Sequence, residues 1–195
     1  GFLLYFLKEA GFENVLGVEP HIDTDIEYAN GLTIKKTWVH ELDEEQDIVM
    51  FHHSFEHLPN PIEALEAVYR LLSPNGECMI RIPLVSSEAW KKYGTHWVQL
   101  DAPRHFFLYS IESLKVLARK TNFKIKEIVY DSNDFQFWGS QQYLKGIPLL
   151  AENSYARNPA KSIFSKAEIK NYKQMARKLN LESQGDQAVI YMVKE

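Results

Sequence analysis

Three stretches of this chain gather side chains that can move protons, hold charge or grip a polar ligand. The densest is His52-His53-Ser54-Phe55-Glu56-His57, which puts three imidazoles and a carboxylate into one turn's length. Imidazoles titrate close to neutrality, so His57 is a candidate general base. A second stretch, Trp90 to Phe107, mixes aromatic rings with His96, Arg104 and His105. With Phe135, Phe137, Trp138 and Tyr143 it could wall a pocket of mixed polarity, with His105 as a second candidate base. The third is a single acid, Glu19, which follows the apolar run Val15-Leu16-Gly17-Val18 and precedes Pro20. A carboxylate there can accept hydrogen bonds from two vicinal hydroxyls. Each stretch also has a plainer reading. Glu19 can be a solvated acid, His57 can bond backbone where a strand ends, and the aromatics can form a satellite cluster under long loops.

Two further patterns need weighing. His53, Glu56 and His57 spell H-x-x-E-H, which on a continuing helix would put both histidines on one face for zinc. Pro59 and Pro61 follow at once and would break such a helix, so the pattern argues against a zinc hydrolase. Arg81 stands inside the apolar run Met79 to Ile82. It must either find a paired acid or point outward at a sheet end.

The elements that position these residues can be read from periodicity. Phe2 to Ala10 has helical spacing and Gly11 stops it; Asn14 to Val18 is a short buried strand. Asp23 to Asn30 is expected as a short helix, Leu32 to Lys36 as a second strand, and Asp47 to Phe51 as a third. Asn60, Pro61 and Glu63 open a helix that Ser73 to Gly76 should stop, and Cys78 to Pro83 is the next strand. Ser110 to Lys120 is a helix, Phe123 to Tyr130 a strand, and Ala188 to Val193 a strand buried on both faces. The intervening segment, 131–185, is too long for a plain loop. It carries a helix capped by Ser165 and Glu168. Alternating helices and strands predict a single α/β domain over 1–195, with a mostly parallel sheet, helices on both faces and an antiparallel last strand. Such sheets bind ligands beyond the carboxyl ends of their strands.

Composition limits the partners. The 195 residues are 45% hydrophobic and 25% charged, with 22 Lys and Arg against 26 Asp and Glu. A formal charge of −4 offers no polyanion footprint, so nucleic acid is not expected as a partner. No apolar run reaches the ~20 residues of a membrane span, so no membrane partner and a cytoplasmic setting are expected. The lone Cys78 excludes an internal disulfide.

Taken in order, these segments resemble the successive motifs of class I S-adenosylmethionine-dependent methyltransferases. Val15 to Pro20, Asp47 to Pro61, Leu71 to Pro83 and Gln187 to Lys194 carry the likeness. Glu56-His57-Leu58-Pro59-Asn60-Pro61 resembles the EH-x-P-x-P region of the branch with quinone-ring and sugar methyltransferases. Leu71 to Gly76 and Pro103-Arg104-His105 with Ser110 resemble that branch's later turns. The resemblance implies S-adenosylmethionine as cofactor and a small-molecule methyl acceptor. It places Glu19 and Pro20 at the adenosyl ribose, His52 against the cofactor, adenine near Glu41 and Leu42, and the 131–185 segment over the substrate. The family's first strand and glycine-rich loop should precede the first helix. Only Gly1 could represent them, so the chain reads as truncated, with a gap in its sheet. In some quinone-ring O-methyltransferases an E-x-x-E-H set is implied to hold a divalent ion; here His53 replaces the first acid, and no metal is expected. A non-catalytic methyltransferase-like binding module and a nicotinamide-dependent oxidoreductase remain the alternatives.

Overall fold

The computed structural model describes residues 1–195. Its centre is a four-stranded sheet in the order β4-β5-β7-β6. β4 (Gln46–His52) and β5 (Leu72–Pro83) run parallel, so the chain must cross over between them, and it does so through helix α2 (Pro61–Leu71). β7 (Gln187–Lys194) enters between β5 and β6 (Phe123–Tyr130) and is antiparallel to both. Helix α4 (Ile111–Lys120), capped by the Ser110 hydroxyl, leads into β6.

Side chains alternate across these strands, and one face is the core. Cys78, Ile80 and Ile82 of β5 and Ala188, Ile190 and Met192 of β7 pack with Leu65, Val68 and Leu71 of α2 and Leu114 and Ala118 of α4. A smaller cluster lies beside the carboxyl end of β5. It joins α3 (Glu88–Tyr93), α5 (Phe135–Leu144) and α6 (Lys166–Leu181) through Tyr93, Trp97, Phe137 and Ala176. The aromatics of this stretch therefore include packing residues, and α5 and α6 both lie in the 131–185 segment. The Ser165–Glu168 capping box of α6 forms as expected.

A second, three-stranded sheet stands apart. Helix α1 (Phe2–Glu9) buries no residue fully and ends at Gly11, whose φ is +94°. It is followed by β1 (Leu16–Val18), which pairs parallel with β3 (Thr33–Lys35), while β2 (Ile26–Glu27) pairs antiparallel with β3. No ladder joins this sheet to the larger one, and β4 keeps a free edge on which Ile48 is 61% exposed. No helix is long and apolar enough to cross a membrane.

Three local expectations need correction. The helix expected at Asp23 to Asn30 is absent. The Asp25 carboxylate accepts from the Lys36 N–H at 2.7 Å, and the Asp23 carbonyl accepts from the Lys36 ammonium at 2.9 Å, which pins the segment as turns around β2. The α/β class and the antiparallel last strand, β7, are as expected, but a mostly parallel sheet fits only roughly, because β2 is antiparallel to β3 and only the β4–β5 and β1–β3 pairs are parallel. α2 stops at Leu71, and Ser73 to Gly76 form an irregularity within β5 instead of a helix stop. Asn60 precedes α2, but its side chain caps no N–H and instead donates to Glu63 at 3.3 Å.

The packing predicts unequal sensitivity along neighbouring strands. Ile80→Ala, at a fully buried position, should lower the unfolding free energy by about 3 kcal/mol. Ile48→Ala on the open edge of β4 should change it by no more than about 0.5 kcal/mol. Urea unfolding of both variants checks the pair.

Candidate functional site

The carboxyl ends of β4 and β5 carry the polar cluster. His52 is the last residue of β4 and sits opposite Arg81. His53 then turns the chain with a left-handed φ of 53°, and its N–H donates to the Arg81 carbonyl at 2.9 Å. That conformation is costly for a residue with a Cβ and marks a backbone held in place by its surroundings. A single 3-10 turn, Phe55–His57, follows. Phe55 is wholly buried against Phe51 and Tyr109, which drives the adjoining Glu56 inward. Glu56 is 1% exposed, and neither carboxylate oxygen has a hydrogen-bond partner.

A chain of bonds crosses the strand ends above it. Arg81 Nη1 lies 2.7 Å from His53 Nε2. A guanidinium only donates, so Nε2 accepts and the His53 proton sits on Nδ1, which faces Glu56 Oε1 at 3.5 Å. Arg81 Nε donates to Asp131 Oδ2 at 2.5 Å, and Gln187 Nε2 donates to Asp131 Oδ1 at 2.9 Å. Arg81 has therefore found its paired acid, just past β6, and does not point free of the sheet.

The other wall is the loop Gln99–Phe107. His105 Nδ1 is 3.0 Å from the Gln99 carbonyl and His57 Nδ1 is 2.8 Å from the Arg104 carbonyl. A carbonyl only accepts, so both rings carry a proton on Nδ1, and the neutral form of each presents its lone pair on Nε2. His105 Nε2 lies 3.9 Å from Glu56 Oε1 and 3.8 Å from Asp101 Oδ2, and the two imidazoles are 4.9 Å apart, centroid to centroid. Burial holds the His105 pKa below its ordinary value, with Glu56 opposing and His57 assisting, so the ring is neutral at pH 7. The loop is anchored by Asp186, whose Oδ2 accepts from Trp97 Nε1 at 2.9 Å and from Gln99 Nε2 at 2.7 Å. Burial raises the Asp186 pKa, and those hydrogen bonds oppose the rise.

The structure thus brings His57 and His105 together, with Glu56 between them and the sheet. The other anticipated residues lie elsewhere. Glu19 follows β1; it is exposed and accepts one bond, from the His21 N–H at 3.1 Å, which leaves its second oxygen free. Pro20 continues that turn. Gly1 precedes α1, and a Cβ on it would meet the Tyr28 hydroxyl at 2.9 Å. No hydrogen bond links Gly1, Glu19 or Pro20 to the His52–His57 turn. Partial burial, with Arg81 and His53 alongside, lowers the His52 pKa, so the ring stays neutral and suits a cationic neighbour. Glu41 is already engaged. Its Oε2 accepts from Trp38 N–H and from the Thr37 hydroxyl, bonds that also lower its pKa. Sequence reasoning missed Asp131, Asp186 and Gln187. The strand-end rule that singled out Glu19 and His52 would have found Asp131, the first residue after β6.

Comparison with known proteins follows the same line. Residues 1–128 match a family described as a methyltransferase domain. No curated protein sequence matches. Among solved structures, a SAM-dependent methyltransferase from Archaeoglobus fulgidus is similar at 20% identity and a TM-score of 0.57, over 99% of this chain and 80% of that one. A SAM-dependent methyltransferase from Thermotoga maritima gives 17% identity and 0.57 over 97% and 76%. Mycolic acid cyclopropane synthase CmaA1, complexed with SAH and CTAB, gives 15% and 0.54 over 98% and 73%. At these identities the structures speak for the fold. The family match covers most of the chain: this protein belongs to the methyltransferase-domain family, within the class I superfamily whose cofactor is S-adenosylmethionine.

Proposed function

We propose that this protein transfers a methyl group from S-adenosylmethionine to a nucleophilic atom of a small molecule. The observation that carries the reading is the pair of Nε2 lone pairs on His57 and His105, held over a buried carboxylate at the carboxyl ends of β4 and β5. Open α/β sheets receive their ligands at that end. The donor supplies an already activated methyl on a sulfonium, so the protein's tasks are alignment, exclusion of water and management of one proton.

The residues divide these tasks. Glu19, with one carboxylate oxygen free, would hold the ribose hydroxyls, Pro20 would fix its turn, and Gly1 would leave room for close approach of backbone. Neutral His52 would lie against the donor without repelling its charge. An acceptor hydroxyl would lose its proton to His105 Nε2 or to His57 Nε2, whose opposite nitrogens are tied to backbone carbonyls and so hold each ring at a fixed angle. α5 and α6, in the 131–185 segment, would close over the acceptor. The donor groups of this arrangement are shared between two sheets that no ladder joins.

Two outcomes are expected. Because Glu19 and His52 belong to separate sheets, calorimetric titration of this chain with S-adenosylhomocysteine should give an affinity weaker than micromolar; a micromolar Kd would overturn the division of the site described here. In turnover assays, His105→Ala should lower kcat about a hundredfold while leaving donor affinity unchanged. Unaltered turnover would remove His105 from the reaction.

A further inference from the structure

We propose that Glu56, His57 and His105 together bind one divalent transition-metal ion of the zinc class. Their ligand atoms lie within 4.8 Å of one another, and two different loops deliver them: the turn after β4 gives Glu56 and His57, the Gln99–Phe107 loop gives His105. The first argument is electrostatic. Glu56 is 1% exposed and both of its oxygens lack a hydrogen-bond donor. A carboxylate buried in this way is disfavoured by several kcal/mol unless a cation or proton compensates it. Arg81, the cationic side chain above it, is already committed to Asp131 and His53.

The second argument is the orientation of the histidines. A metal-bound imidazole ordinarily donates its other N–H to a carbonyl or carboxylate, which fixes the tautomer and aims the lone pair. Both rings do so here. His57 Nδ1–H donates to the Arg104 carbonyl and His105 Nδ1–H to the Gln99 carbonyl. These supports are themselves braced: Asp186 holds the Gln99 side chain, and Asp101 pairs with Arg104. His53, by contrast, spends its Nε2 on Arg81 and is no ligand.

The donor set selects the ion. Two imidazoles and one carboxylate suit zinc, cobalt, nickel or ferrous iron, whereas magnesium and calcium want oxygen donors. Metal–ligand distances of about 2.1 Å place neighbouring donors roughly 3.4 Å apart in a tetrahedron. His105 Nε2 and Glu56 Oε1, at 3.9 Å, need only a small closure. Three protein ligands leave a coordination position open, the arrangement of a catalytic rather than a structural ion. Its use in methyl transfer rests on the function proposed above, where a bound cation would lower the acceptor hydroxyl's pKa in place of a free histidine base. The binding itself does not rest on that reading.

The test is metal binding by the chelator-stripped chain without any methyl donor. Equilibrium dialysis against Zn2+, and titration with Co2+ followed through its visible d–d bands, should give one ion per chain, with Mg2+ failing to compete. Glu56→Gln and His105→Ala should each weaken Co2+ binding at least tenfold, and His40→Ala, at an exposed histidine outside the cluster, should not. Circular dichroism and thermal melts of each variant separate loss of the site from loss of the fold, and Zn2+ should raise the Tm of the parent chain but not of Glu56→Gln. Absence of stoichiometric binding, or binding indifferent to Glu56 and His105, overturns the proposal and leaves the free-base role standing. A failed donor titration with intact metal binding would count against the methyl-transfer reading alone.

Discussion

A carboxylate that enters the protein interior without a hydrogen bond governs the rest of this site. Glu56 is carried inward because Phe55, beside it in a one-turn helix, is a core residue packed between Phe51 and Tyr109. The packing of Phe55 leaves no freedom to turn it back to water. Everything within reach then answers its charge. Three imidazoles approach it, from His53 at 3.5 Å, from His105 at 3.9 Å and from His57 beside His105. The Tyr109 hydroxyl, itself unpartnered, is pushed toward a higher pKa by burial and by this carboxylate. Low dielectric magnifies each of these effects, and an incompletely satisfied cluster of this kind is where a fold spends stability on function.

The larger sheet ties the polar cluster together, and Glu19 stands outside that network. Gln187, Asp131, Arg81 and His53 link the ends of β7, β6, β5 and β4 through consecutive hydrogen bonds, so the polar cluster is tied to every strand of the larger sheet. Glu19 has no such tie. Its strand belongs to the smaller sheet, and Ile48 on the free edge of β4 stays exposed. Positional precision follows the hydrogen-bond network, and the network stops at β4.

Much of this was legible from the residues alone. The strands expected at Asp47 to Phe51, Phe123 to Tyr130 and Ala188 to Val193 formed to within a residue at each end, because their apolar runs are long, while the one expected from Cys78 begins six residues earlier, at Leu72. Ser165 with Glu168 named the start of α6 through a reciprocal cap that is purely local. The reading failed where long-range contacts decide. Asp23 and Asp25 looked helical until Lys36, a strand away, took their oxygens, and Ser73 to Gly76 looked like a helix stop although the chain was already extended. At the site, the histidines were visible as types. Nothing local showed that Glu56 would be buried, nor that Arg81 would find Asp131, because each depends on which strand ends meet.

The exchange at position 53 shows how those long-range contacts redistribute roles. In the E-x-x-E-H pattern the first position is an acid, but here it faces Arg81, whose guanidinium already shares the Asp131 carboxylate. A second acid at that place would compete for Arg81 and add negative charge above buried Glu56. Histidine avoids both consequences: its Nε2 accepts from Arg81, and its Nδ1–H turns toward Glu56. The substitution therefore removes one oxygen donor from the cavity and converts position 53 into a link between the sheet and the carboxylate. The third donor toward the cavity comes instead from His105, on a loop anchored to β7 through Gln99 and Asp186. Position 53 thus leaves the group of side chains that face one another here, and Glu56, His57 and His105, drawn from two separate parts of the chain, remain.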